Sequence, residues 1–288
     1  MDREQRKAEA QSHLALMKGA FEADTRASID AAHVYEDGDG RSLELPEAPF
    51  SETKTFVTTR FAPRELFSLQ VEGKVCVVDP CSFTRPGGSY EDGAFGPEQV
   101  LCADSNLYPV LLGCRRLYYA GNRGYASGQL FTDRALYLPD IVFTHNGEVR
   151  RADVIALPEP NRSRALENHR SEAECDECLK NRIETLLSIA AASGAEALIV
   201  GAFACGRQGF DPDQVTGLFK EWLDAHPGAI GTVAFAVPRA FEEPFARVFG
   251  RDEVERRAPR PETKRSSDDD DDDIDLSKIT LPEGVTLR

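Results

Sequence analysis

The sequence predicts an α/β fold, and three features predict it. Short β-branched apolar runs have the composition of strands buried on both faces, amphipathic stretches of helical period lie between them, and two of the runs feed glycine-bearing loops at their carboxyl ends. The opening REQRKAEAQSHLALMKGAF spaces Ala8, Leu14, Met17 and Phe21 among charges and reads as an amphipathic helix. YEDGDGRSLELPEAPFSE, polar and bearing glycine and proline, reads as a loop or short hairpin. The strand candidates are KVCVVD (74–79), ADVIAL (152–157), EALIVGAF (196–203) and GTVAFAV (231–237), with ALYLPDIVF (135–143) broken by Pro139. Over 172–193, Cys175, Cys178, Leu179, Leu186, Ile189 and Ala190 recur at helical spacing and would line one face. A further helix should start at Asp211-Pro212, a capping residue followed by proline at the first helical position, and carry Val215, Leu218, Phe219 and Trp222. No internal repeat is visible.

After Gly250 the apolar periodicity stops, and a basic, proline-bearing part gives way to six consecutive aspartates. The expected organisation is an N-terminal helical extension (1–50) packing on one domain (51–250), followed by a disordered acidic tail (251–288). In the tail, Ile274, Asp275 and Leu276 after the aspartates match the acidic-plus-aliphatic pattern of segments that add a strand to a partner's sheet edge, although a solvated acidic tail has the same composition.

Charge and composition narrow the function classes. The formal net charge is −15, of which the tail holds only −4. The folded part is itself acidic, which argues against bulk binding to a nucleic-acid backbone, since that runs on clustered Lys and Arg. No run has the length and apolarity of a membrane span, and the charged N-terminus is unlike a signal peptide. Seven scattered cysteines suit a reducing compartment, so an intracellular protein is expected, cytoplasmic or, in a eukaryote, nuclear.

The loops carry the chemistry. PGGSYEDG follows the strand KVCVVD, and on its own a glycine pair after a strand is usually a turn. LIVGAFACGRQGFDP repeats the order of strand, glycine-bearing loop and capped helix. Two such loops beyond the carboxyl ends of strands could hold a diphosphate from both sides, using backbone N–H groups rather than net positive charge.

These residues resemble the microbial-type poly(ADP-ribose) glycohydrolases. That family carries a Gly-Gly-Gly loop, a spacer and Gln-Glu-Glu, and here Gly87-Gly88-Ser89 precedes Pro97-Glu98-Gln99. EQRKA, LCADSNLYPVL, LFTDRALYLPDIVF, VIALPEPNR and LIVGAFACG look like further landmarks in the family's order, so the resemblance spans roughly residues 3 to 240. It implies a three-layer α/β/α macrodomain-like fold with a mixed central sheet, and ADP-ribose or an ADP-ribosylated protein as ligand. By resemblance, Gly87, Gly88 and Ser89 approach the distal ribose and diphosphate, and Gly201, Ala204, Cys205 and Gly206 form the second diphosphate-holding segment. Phe210 would be an adenine face or a core aromatic, and Asn161 a ribose contact or a turn residue.

The departure lies at the acid. The family's second Glu protonates the leaving oxygen as the ribosyl bond breaks; here it is Gln99, and an amide donates no proton at useful pH. Glu98 keeps the preceding position, where the family uses the carboxylate to hold ribose hydroxyls. With Pro97 opening the helix, Glu98 and Gln99 share its first turn at angles about 100° apart, so one cannot replace the other. The resemblance therefore implies a hydrolase of ADP-ribosyl linkages with altered chemistry or, alternatively, a non-catalytic reader. No cofactor or metal is expected: Cys175 and Cys178 with His169 upstream lack a second cysteine pair and fall on an apolar helix face. Cys102 and Cys205 flank the site as candidate buried thiols, and His145 reads as a surface-loop histidine.

Overall fold

The structure, a computed structural model, describes residues 1–125 and 127–251. The aspartate run and Ile274, Asp275 and Leu276 lie outside the described residues. In chain order the elements are α1 (Arg3–Ala20), α2 (Glu22–Asp30), β1 (His33–Tyr35), β2 (Lys54–Thr58), α3 (Ala62–Ser68), β3 (Val75–Asp79), α4 (Pro97–Ala103) and α5 (Leu107–Gly113). They continue with a π-helical turn (Arg115–Tyr119) running into the short α6 (Ala120–Asn122), then β4 (Ala135–His145), β5 (Glu148–Ala156), α7 (Arg162–Glu167), α8 (Glu172–Ala192), β6 (Ala197–Val200), α9 (Pro212–Ala225), β7 (Thr232–Ala236) and α10 (Arg239–Phe249).

The seven strands form one sheet in the order β1-β4-β5-β3-β6-β7-β2. β4 is antiparallel to both its neighbours, and β5, β3, β6, β7 and β2 pair in parallel. The central sheet is therefore mixed, as expected, and the carboxyl ends of β5, β3 and β6 lie side by side. All five residues of β3 are buried. Cys76 and Val78 enter a core with Leu186 and Ile189 of α8, Phe219 of α9 and Phe245 of α10. Val75 and Val77 point the other way, into a core with Ala10 of α1, Leu66 of α3, Leu101 of α4 and Leu107 of α5. Helices thus cover both faces, because a strand apolar on both sides needs two partners.

Three departures from the sequence reading have local causes. β1 and β2 are short edge strands with little apolar content, so alternation does not distinguish them from loop. β4 continues through Pro139 instead of breaking there. Its register shifts between Leu138 and Ile141, and β1 pairs only with Ala135 to Tyr137, so the proline lies in a bulge with no outer neighbour needing its N–H. The N-terminal residues, expected as a helical extension, also supply a strand to the sheet and clamp the glycine loop. Arg3 Nε donates to Asp92 O at 2.8 Å and Arg6 Nε to Gly93 O at 2.9 Å, while a Cβ on Gly93 would lie 2.2 Å from Arg3 O.

α9 starts on the expected cap, Asp211 before Pro212, and α8 starts on a capping box formed by Ser171 and Glu174. Cys175 is buried and Cys178 half-buried. Among the described residues no group of three or more His, Cys, Asp or Glu is placed to hold a metal ion, and no helix is long and apolar enough to cross a membrane.

Candidate ligand site at the carboxyl ends of β3, β5 and β6

The first loop is built by glycines that other side chains demand. Gly87 and Gly88 sit at φ +63° and +58°, where an L residue is strained. A Cβ on Gly87 would fall 2.3 Å from Tyr108 Cδ2, and one on Gly88 would fall 2.9 Å from Gln99 Nε2 and 3.1 Å from Glu98 Oε2. The loop therefore rests on α4 and α5. Ser89 is half-buried and its Oγ accepts from Arg85 Nη1 at 3.0 Å, with Arg85 also paired to Asp92 at 2.7 Å. Pro97 opens α4, so Glu98 and Gln99 do lie in its first turn. Gln99 Nε2 donates to Gly87 O at 3.1 Å and to Glu98 Oε2 at 3.4 Å, and Glu98 Oε2 also accepts from Ser82 N at 3.2 Å. Glu98 Oε1 is buried with no partner.

The second loop runs from Gly201 to Phe210 after β6. Ala204, left-handed at φ +60°, donates its N–H to Glu159 Oε1 at 2.7 Å, and Gln208 Nε2 donates to Glu159 Oε2 at 2.9 Å. Glu159 follows β5, so its carboxylate crosses the end of β3 to tie this loop. Gly201 is half-buried, Gly206 exposed and Cys205 buried, with burial pushing the Cys205 thiol up to about 12. Phe210 is 3% exposed within the core. Asn161 caps α7, its side chain accepting from Arg164 N at 2.9 Å.

Sequence reasoning missed two carboxyls here. Asp79, the last residue of β3, is wholly buried and neither carboxyl oxygen has a partner. Burial, then the nearby Glu159 charge, raises it to about 8. Burial raises Glu159 to about 7, against its hydrogen bonds from Ala204 and Gln208. Glu98 is likewise held well above the carboxylate range by burial and then by Asp79. Three carboxyls held above the ordinary carboxylate range thus stand between the loops, each chiefly by burial, with Glu159 adding to the shift of Asp79 and Asp79 to that of Glu98. Arg182 is buried nearby, donating to Leu130 O at 3.1 Å and to Pro158 O. An acid ending an apolar run, as in VCVVD, was the only sequence signal for Asp79.

The thiol of Cys102 is fully buried and raised by that burial. His145, expected on a surface loop, ends β4 half-buried, its Nε2 2.7 Å from Arg64 Nη1 and its ring edge-on to Phe67.

A mixed sheet between helical layers, with two loops converging beyond its central parallel strands, defines a macrodomain-like protein. Residues 9–146 match the family model of the microbial-type PARG catalytic domain. Among solved structures the chain is similar to poly(ADP-ribose) glycohydrolase from Thermomonospora curvata, with TM-score 0.78 and 26% identity over 86% of this chain and 100% of that one. A structure of the same enzyme bound to the inhibitor ADP-HPD matches with TM-score 0.74 and 26% identity, covering 85% of this chain and 99% of that one. The Deinococcus radiodurans glycohydrolase in complex with ADP-ribose matches with TM-score 0.69 and 26% identity, covering 77% and 96%. No curated protein sequence gives a significant match. The family model and the solved structures both support a likeness to the microbial-type poly(ADP-ribose) glycohydrolase family.

Proposed function

We propose that this chain is an ADP-ribose-binding, glycohydrolase-like protein that cleaves ribose–ribose bonds slowly, because an amide stands where the family carries its acid. One observation supports this above the others: Gln99 lies in the first turn of α4 with its amide bonded to Gly87 O, beside a buried Glu98 fixed by Ser82 N–H. In this reading the diphosphate lies between the first loop and Gly201 to Gly206, and the distal ribose hydroxyls meet the unpartnered Oε1 of Glu98. Departure of a ribose oxygen through an oxocarbenium-like state needs a proton, and Gln99 supplies a hydrogen bond only. The same geometry favours a second reading, a module that reads ADP-ribosylation without removing it, since nothing that shapes the loops requires an acid at residue 99.

Calorimetric titration with ADP-ribose, beside a polymer hydrolysis assay, tests both readings. Gln99→Glu should raise the hydrolysis rate by on the order of 10²-fold while leaving affinity within a few-fold. A variant that binds yet stays inactive supports the reader. Brisk hydrolysis by the unaltered chain moves the acid to Glu98, and no binding at millimolar ADP-ribose removes the reading altogether.

A further inference from the structure

A cavity adjoins Gln99. It lies between α1, the start of α3 and α4, has a volume of about 140 Å³, and is lined by Ala10, His13, Phe61, Tyr90, Phe95 and Gln99, among others. That is far below the roughly 300 Å³ at which whole-ligand sites begin, and close to the cavity of about 150 Å³ that holds one benzene. The space suits a single six-membered ring.

Its walls suit a flat, polar-edged ring rather than an aliphatic chain. Phe61 and Phe95, 49% and 63% exposed, are among the most exposed large apolar side chains of the described residues, and both border this cavity. Arg6 already lies over the Phe95 ring at 5.9 Å, so that face accepts a cation. His13 lines the floor with its Nδ1 engaged by Tyr90 Oη at 3.1 Å, and its buried Nε2 has no partner. Arg6 and Arg64 on the wall are balanced by Glu9 and Asp104.

We propose that this cavity is the leaving-group subsite and takes a six-membered nitrogen heterocycle carried on C1″ of ADP-ribose, as in the pyridinium dinucleotide NAD⁺. The inference rests on the ADP-ribose reading, which puts C1″ beside Gln99. It resolves what the amide otherwise leaves unexplained, because a pyridinium needs no general acid. On hydrolysis the C1″–N bond breaks, its electron pair stays on the ring nitrogen, and nicotinamide departs neutral. The water oxygen bonds to C1″, and the proton the water loses goes to solvent. Gln99 donates a hydrogen bond and transfers nothing.

The test uses the full chain with three probes: nicotinamide, ADP-ribose and NAD⁺. Nicotinamide alone should shift the NMR signals of His13 and Phe95, and NAD⁺ should bind at least five-fold more tightly than ADP-ribose. Phe95→Ala and Phe61→Ala should each erase that difference while leaving ADP-ribose affinity unchanged, and chromatography should detect nicotinamide released from NAD⁺. Equal affinities for NAD⁺ and ADP-ribose, or nicotinamide shifts elsewhere, would overturn the subsite even with ADP-ribose bound normally. Absence of ADP-ribose binding with nicotinamide still in the cavity would instead remove the ADP-ribose reading and keep the ring site.

Discussion

The two glycine-bearing loops leave neighbouring strands at one end of the sheet, yet they are held by opposite means. The first is held by shape: left-handed glycines press onto the Tyr108 ring and the Glu98 and Gln99 side chains, with α1 clamping its far end. The second is held by one carboxylate, Glu159, taking the Ala204 N–H and the Gln208 amide. Asp79 ends β3, the strand that feeds the first loop, and its carboxyl is hydrogen-bonded to neither loop. Shape does not titrate and a carboxylate does, so steric changes should break the first loop and pH should govern the surroundings of the second.

The largest expected effect tests the steric half. Gly87→Ala puts a Cβ 2.3 Å from Tyr108 Cδ2 at φ +63°. A left-handed Cβ costs about 1–2 kcal/mol and overpacking a further ~1–3, so the melting temperature should fall by about 10 °C. Gly206→Ala is the control from the second loop: its nearest contact would be Phe241 Cζ at 3.3 Å, with φ +66°. It should lose only the left-handed cost. Equal losses from the two substitutions would show that Tyr108 yields and that the first loop is not sterically set.

The next effect concerns Asp79 and is read in stability against pH. Its carboxyl holds its proton in the folded chain up to about 8, whereas unfolded it releases it in the ordinary carboxylate range near 4. Between those values the folded state binds more protons, so stability falls as pH rises from about 4 to about 8 and is level beyond. Asp79→Asn removes that slope. The variant should match the unaltered chain near pH 4 and exceed it at pH 8, by on the order of a few kcal/mol. Thermal melts at both pH values check it, and a parent melting temperature independent of pH would mean that Asp79 is solvated.

How much of this was legible in the sequence follows from the same contrast. The interior strands were readable because a strand buried on both faces is a continuous apolar run, as in VCVVD and ALIV. The helix start was readable because Pro97 carries its own backbone preference. The glycine motif pointed to the first loop, but the reason for its glycines lies in Tyr108, which no local pattern connects to Gly87. Glu159, set between Pro158 and Pro160, looked like loop, and its role appears only when the ends of β5 and β6 are brought to either side of β3. The ring-sized cavity draws on α1, Phe61 and Phe95, which meet only in the fold.

The smallest effect is at Glu159 and separates tethering from charge. Burial raises this carboxyl to about 7, so its ionised fraction grows across the neutral range. The diphosphate of ADP-ribose is fully ionised throughout that range. If the second loop holds the diphosphate, affinity should weaken from pH 6 to pH 8 as negative charge gathers behind the Ala204 N–H. Glu159→Gln keeps an oxygen for that N–H but places an amide before Gln208, whose own Oε1 is buried without a partner. Rotating the Gln208 amide lets that oxygen accept the new N–H, so the tether survives while the charge goes. The variant should bind ADP-ribose with a nearly pH-independent Kd, tighter than the parent at pH 8 by up to about tenfold, or 1.4 kcal/mol. Calorimetry at pH 6 and pH 8 measures this directly. A parent affinity that is level across the two pH values and matched by Glu159→Gln would mean that the ligand's charge lies away from the second loop, leaving the first loop to hold it alone.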